Sequence, residues 1–290
     1  MITIFSTPKP FSGLNKIIQW NAIKSWKNLG EDYEIILLGN DKGVKEICDE
    51  LDLIHLPDIN TNNLNTPLLD SVFKKAEEKS SKDFMMYINS DIIICNDIVS
   101  KISSFNFENF IVTGRRWDLD VKSKINFEND NWKKDLLLLI KGKGVLHDYS
   151  GKDYFIYKKG TISMLPFSVG RPYWDDWLLY HARSKKYPII DASFSIKIVH
   201  QNHDYSHSKY GDKKRVMGPE YEENVKILKS FSNIISMRES DWILKDSQLF
   251  RPNGINKILN FLSYSYIWRS LLGIKRFVRF HLVKLYDSKS

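Results

Sequence analysis

The sequence predicts an α/β fold, a Rossmann-like, mostly parallel sheet flanked by helices and followed by an amphipathic helical tail. Three observations carry this reading. Short β-type apolar runs alternate with segments of helical spacing through the first 113 residues, the pattern of β-α-β units. The 290 residues are 42% hydrophobic and 27% charged, ample core material for one large domain or two small ones. That composition excludes a disordered, collagenous or disulfide-stapled chain. Finally, the formal charge of +8 is uneven. Residues 251–290 hold eight Lys/Arg against Asp287 alone, which leaves 35 basic and 34 acidic residues over 1–250. A nearly neutral body with a basic tail argues against a nucleic-acid-binding face and predicts no nucleic-acid partner.

The elements follow in order. Residues 2–6 form a short apolar strand stopped by Pro8 and Pro10. Residues 15–29 have helical spacing through Ile18, Trp20, Ile23, Trp26 and Leu29. Residues 34–38 read as a buried strand, 42–51 as a helix and 53–56 as a third strand. A helix over 66–79 would take Thr66 as its N-cap and Pro67 at its first position, where a missing N–H costs little. Strand 84–88 leads into Asn89-Ser90-Asp91, a short helix covers 97–105, and 110–113 is a fifth strand. Further on, helices are expected at 132–140, 174–185 and 224–231, and strands at 154–157, 189–191 and 194–199. Ligands of such sheets bind where strand C-termini open into loops. This points to 6–11, with Thr7, to 39–41, with Asp41, and to 89–91.

Four polar stretches carry candidate chemistry. Asn89-Ser90-Asp91 ends a strand, where a carboxylate can hold a divalent cation that bridges a diphosphate. Gly114-Arg115-Arg116-Trp117-Asp118 ends the next strand, offering guanidiniums to an anion and a tryptophan face to a sugar. Gly170 to Trp177, reading Gly-Arg-Pro-Tyr-Trp-Asp-Asp-Trp, opens a helix with two adjacent acids. Residues 200–207 hold three of the seven histidines, His200, His203 and His207.

Together these stretches resemble the GT-A glycosyltransferases, particularly inverting, family-2-like bacterial enzymes, over residues 1–235. The resemblance implies that Asp91 stands at the metal-binding acid of a D-x-D motif, with Asn89 replacing its first acid. The cofactor would be Mn²⁺ or Mg²⁺, with His200 or His203 completing the metal shell. Asp175-Asp176 matches the acidic pair that supplies the general base. Position in the pair favours Asp176, whereas the Trp-Asp-[Asp/Asn]-Trp form of similar sequences favours Asp175. Successive helical residues point about 100° apart, so one of the two should face the cleft, and Asp175 is taken first. Asp41, Asp70, Thr7, Asn89, Arg115 and Arg116 are then candidate donor contacts, and Trp117 and Trp174 candidate acceptor contacts.

These readings divide the chain into a nucleotide-sugar-binding half, 1–114, an acceptor-binding and catalytic half, 115–250, and a membrane-associating tail, 251–290. They predict transfer of a sugar from a nucleotide-diphosphate donor to a glycan or lipid-linked acceptor in surface polysaccharide synthesis. In the tail, Arg269, Lys275, Arg276, Arg279 and Lys284 fall in one helical half-circle. Ile267, Leu271, Ile274, Val278 and Leu285 lie opposite, the pattern of an interfacial anchor on an anionic membrane through 255–286. A packed helix, even a homodimer seam, is the alternative for this segment. Cys48 and Cys95 sit in apolar contexts as buried thiols. With no signal segment and no run of about 18 apolar residues, the expected location is cytoplasmic, peripheral on the inner face of the membrane. A sugar nucleotidyltransferase and a non-catalytic membrane-surface protein are the competing readings. The first lacks a Gly-rich phosphate loop near strand one.

Overall fold

The computed structural model describes residues 1–103, 105–203 and 218–287. The first half alternates β1 (Ile2–Ser6), α1 (Gly13–Lys27), β2 (Tyr33–Leu38), α2 (Val44–Leu51), β3 (Ile54–Leu56), α3 (Leu69–Lys79) and β4 (Phe84–Ile88). It continues through β5 (Ile92–Ile94), α4 (Val99–Ile102) and β6 (Ile111–Thr113). Then come β7 (Trp117–Leu119), α5 (Trp132–Lys143), β8 (Val145–Leu146), β9 (Tyr154–Lys158), α6 (Trp174–Ser184), β10 (Ile189–Asp191) and β11 (Ile198–Gln201). The described remainder is α7 (Pro219–Leu228), a 3₁₀ turn (Met237–Glu239), β12 (Trp242–Lys245), β13 (Gln248–Phe250), α8 (Gly254–Ser263) and α9 (Tyr266–Asp287).

Nine strands form one sheet in the order β13-β12-β10-β6-β9-β4-β1-β2-β3. Most pairs are parallel; β9 runs antiparallel between β4 and β6, and β13 antiparallel to β12. Apolar runs such as Ile2–Ser6 are buried along their whole length because helices cover both faces. One face buries Trp26 and Ile23 of α1, the other Phe73 of α3 and Trp177 of α6. The Phe73 ring sits 5.1 Å from that of Phe5 and 5.5 Å from that of Tyr87. Cys48 and Cys95 are buried free thiols.

Two features of this topology position the polar stretches. Because β9 is antiparallel to β4, Tyr154 pairs with Ile88, so the residues entering β9 arrive at the C-terminal end of β4. A second, four-stranded sheet, β5-β11-β7-β8, stands beside that end. Its register sets His200 opposite Ile92 on one side and opposite Asp118 on the other.

Several boundaries differ from expectation. α3 starts at Leu69 rather than Thr66, because Asn62 captures the preceding segment. The Asn62 N–H donates to the Thr66 carbonyl, and its Oδ1 accepts from the Thr66 N–H. Pro67 then bridges to Thr61 instead of opening a helix. The strand expected at 194–199 is the later β11, since the Ser195 and Ile196 N–H groups both turn back to the Ala192 carbonyl and leave Phe194 exposed. The helix expected at 224–231 is α7, starting at Pro219 and ending before Lys229, whose φ is +62°. Strands β5, β7, β8, β12 and β13 are two to four residues long and too short for a periodic signal.

Candidate active site

At the C-terminal end of β4 the chain turns through Asn89-Ser90-Asp91 and re-enters as β5. Asp91 thereby faces the end of β11. Its Oδ2 lies 3.2 Å from His203 Nε2 and 3.8 Å from His200 Nε2. One ligand atom from each of these residues falls within 4.8 Å of the others. Donors around one ion at about 2.0–2.2 Å stand roughly 3–4 Å apart, the range in which Asp91 Oδ2 meets both imidazoles. Among the described residues the buried Asp91 Oδ1 has no hydrogen-bond partner, as expected of an atom that completes its valence with a metal. Burial works against ionising Asp91, but the His203 hydrogen bond, helped by the field of Lys9, more than offsets it. The carboxyl is held well below the usual range. His200, 5% exposed, is shifted down by burial and kept neutral, the form that ligates metals. The donor set therefore fits a divalent cation. His207 lies outside the described residues.

The main chain at this corner is fixed by Gln201. Its Nε2 donates to the carbonyls of Ile18 at 2.7 Å and Asp91 at 3.1 Å, while its Oε1 accepts from Asn21. Behind His200, Asp118 Oδ1 lies 3.3 Å from the imidazole Nδ1. Asp118 is held in turn by Arg116 Nε at 2.9 Å and His147 Nδ1 at 2.5 Å. The contact is an ion-pair distance rather than an aligned hydrogen bond, and it sets a carboxylate behind the imidazole, where such groups commonly support a ligating histidine.

Arg116 also pairs with Asp153 at 2.9 Å, and Asn89 Nδ2 donates to Asp153 Oδ1 at 2.7 Å. Arg116 is thus paired with two scaffold acids through Nε and Nη1. The same geometry explains why an amide replaces the first acid of the motif. Asn89 donates where a carboxylate would oppose Asp153. Asn89→Asp is therefore expected to destabilise the fold by about 1–3 kcal/mol at pH 8. The loss should shrink as acidification protonates the new pair, which urea unfolding at pH 8 and pH 5 measures.

One residue before Asp153, Lys152 turns the other way. Its ammonium, 3% exposed, sits 3.0 Å from Asp175 Oδ2 and 2.9 Å from Asp176 Oδ1. The two acids occupy the first turn of α6, entered through Tyr173 at φ +82°, where the helix dipole favours negative charge. Burial is the largest influence on Asp176 and, with neighbouring Asp175, raises its pKa against the pull of Lys152. The dipeptide Lys152-Asp153 therefore joins the acidic pair to the network behind the histidines.

The remaining candidates divide. Thr7 lies on the loop after β1. Asp41 is exposed on the neighbouring loop, beside which the Phe11 N–H donates to the Lys42 carbonyl. Arg115 donates from Nε to the His147 carbonyl and places its guanidinium 4.8 Å over the Tyr149 ring. Trp117 is half-buried in β7. Asp70 instead lines a separate cavity of roughly 660 Å³ between α3 and residues 160–164, none of whose lining residues belongs to the Asp91 cluster. Trp174 is 6% exposed and packs edge-on against Tyr87 and Phe155, so it offers no face to a sugar. Residues the sequence did not single out, His147, Lys152, Asp153 and Gln201, complete the site. Their only signal is a polar pair entering strand β9 and a polar end to β11.

No protein-family profile matches the chain, and no curated protein matches it in sequence. Among solved structures it is similar to glucosyl-3-phosphoglycerate synthase from Mycobacterium tuberculosis in complex with Mg²⁺ and uridine diphosphate. That match has 13% identity and a TM-score of 0.44 over 74% of this chain and 76% of that one. It is also similar to TarS residues 1–349 from S. aureus, at 10% identity and TM-score 0.39 over 70% and 58% of the two chains. A second comparison, with TarS bound to UDP, covers 41% of this chain and 36% of that one, at 11% identity and TM-score 0.33. The chain thus spans about a third to three fifths of these TarS chains. Likenesses of this degree carry no statement about substrate.

Proposed function

We propose that this protein is a metal-dependent, inverting glycosyltransferase using a nucleotide-diphosphate sugar. The observation that carries the reading is the Asp91–His200–His203 cluster at the C-terminal ends of the parallel strands, tied through Lys152-Asp153 to a second, acidic corner. The first corner suits the donor diphosphate and the second a general base. Asp91, His200 and His203 would hold Mn²⁺ or Mg²⁺, and two imidazoles favour Mn²⁺. A bound ion supplies positive charge to the departing diphosphate oxygen. In the transfer, an acceptor hydroxyl oxygen bonds to sugar C1, its proton goes to a carboxylate of the acidic pair, and the C1–O bond to the diphosphate breaks. The raised pKa of Asp176 supports that residue as the proton acceptor, ahead of Asp175, which the sequence pattern favours. Thr7, Asp41 and Arg115 are candidate donor contacts and Trp117 a candidate acceptor contact. A glycan or lipid-linked acceptor is the fitting partner, with the protein itself held on an anionic membrane surface through 255–286.

The test is a thermal-shift panel of UDP, GDP and dTDP, each with and without Mn²⁺. One nucleotide should stabilise the protein, and more so with metal. The absence of any nucleotide shift would reject the reading.

A further inference from the structure

Helices α8 and α9 are mounted on the body largely through polar groups, with Phe280 packed beside them on Tyr221 and Phe231. Asn260 Nδ2 donates to the Glu239 carbonyl and to Asp241 Oδ1, each at 2.9 Å. Buried Arg183 reaches Ser263 Oγ at 2.8 Å. Arg276 Nη1 donates to the carbonyls of Phe231 and Ile234, each at 3.2 Å. Gly273 lies so close to the body that a Cβ there would stand 2.8 Å from the Ser232 backbone nitrogen.

The apolar sides face outward. On α8 the exposed positions Ile255, Ile258 and Phe261 recur every three residues. On α9 they are Ile267, Leu271, Ile274 and Val278, spaced four, three and four apart. All seven are between 49% and 78% exposed. A soluble surface helix is arranged the other way, with its apolar stripe on the core. Apolar surface of this extent marks an interaction site.

We infer that this outward face docks on an anionic membrane surface, with both helices lying in the headgroup plane. Charge chooses this occupant over a second copy of the chain. Lys257 and Lys275 are exposed on the same two helices, placed to meet anionic headgroups, and two such faces would set lysine against lysine. Among the described residues no helix is long and apolar enough to cross a membrane. Arg269 and Arg276, expected on the membrane side, are turned to the body instead. Arg269 donates to the Ser263 carbonyl of α8 and lies 5.9 Å over the Tyr180 ring of α6, and Arg276 donates to the two carbonyls above. Attachment therefore rests on inserted apolar side chains more than on those arginines.

The docked helices also reach the acidic corner. The segment that Arg276 grips includes Ile234, and the next residue, Ile235, donates its N–H to the Asp176 carbonyl at 3.2 Å. If the transfer reading holds, the base stands beside the bilayer, where a lipid-borne hydroxyl would arrive.

The test is vesicle co-sedimentation of the full chain. It needs no donor or metal, so its failure is distinct from a failure of the transferase reading. The vesicles are phosphatidylcholine alone, and phosphatidylcholine with phosphatidylglycerol. The wild type should pellet with the anionic vesicles and far less with the neutral ones. I258D/I274D should partition at least about tenfold more weakly, with an unchanged thermal melt. Single-site L271D should show the same direction. Three results would overturn the inference: wild type left in the supernatant with both vesicles, equal partitioning of wild type and I258D/I274D, or a wild-type dimer in light scattering that I258D/I274D dissolves without any vesicle binding.

Discussion

Asp91→Asn should abolish tight Mn²⁺ binding and lower transfer by about a thousandfold. The substitution removes the one carboxylate of the donor set while keeping its size. Its buried Oδ1 has no other partner, so nothing else supplies the lost charge. His200 and His203 remain, and two neutral imidazoles hold a hard cation poorly. Mn²⁺ binding followed by electron paramagnetic resonance gives a readout separate from turnover. Asp118→Asn should be milder, roughly 10–100-fold in metal affinity, because it removes no ligand and weakens only the charge behind His200 and its pairs with Arg116 and His147. Full metal-independent activity of Asp91→Asn would remove the metal role altogether.

Asp176→Asn should lower kcat by about 10²–10⁴-fold, the usual share of a positioned base. Lys152 supplies the finer test. The base must be ionised to accept a proton, so activity falls as pH drops through its pKa. Burial and Asp175 raise that pKa, which places the acidic limb of the wild-type profile above the ordinary carboxylate range. Lys152 pulls in the opposite direction, as do Arg276 and, more weakly placed, the helix dipole. Removing the ammonium in Lys152→Met should therefore move the acidic limb to higher pH, and Lys152→Arg should move it little. A purely structural role would lower kcat without moving the limb. If Asp175→Asn instead carries the large loss and Asp176→Asn is nearly silent, the base is the other member of the pair.

Much of the parallel half was legible because each of its strands is a continuous apolar run between turn residues. β1, β3 and β4 are long enough, or bounded sharply enough, to be read alone. Asp91 was legible for the same reason, as the acid at the end of a clear strand. The histidines stood out by concentration. The network behind them did not, because it depends on pairing. Asp118 meets His200 only through the register of β7 with β11, two strands of three and four residues. Lys152 and Asp153 reach the site because β9 runs antiparallel to β4, a direction that an apolar run does not declare. Asn89 shows the reverse case: an apparent defect in a motif becomes intelligible once Asp153 is its partner.

The last two helices divide in the same way. Their apolar and basic stripes were readable from spacing. Which stripe meets the body was not, because it depends on carbonyls at Phe231, Ile234 and Glu239 that the fold leaves open to the two helices. Those acceptors take Arg276 and Asn260, and of the apolar side chains it is Phe280 that packs on the body, against Tyr221 and Phe231, while the isoleucines turn outward.

The measurement that bears most directly on the central claim is the anomeric configuration of the product. With the donor nucleotide chosen by the thermal-shift panel, proton NMR of the transferred sugar reads it in the first turnovers. A single displacement, with the acidic pair of α6 as base and the Asp91 corner holding the diphosphate, predicts inversion at C1. Retention of the donor's configuration would contradict it.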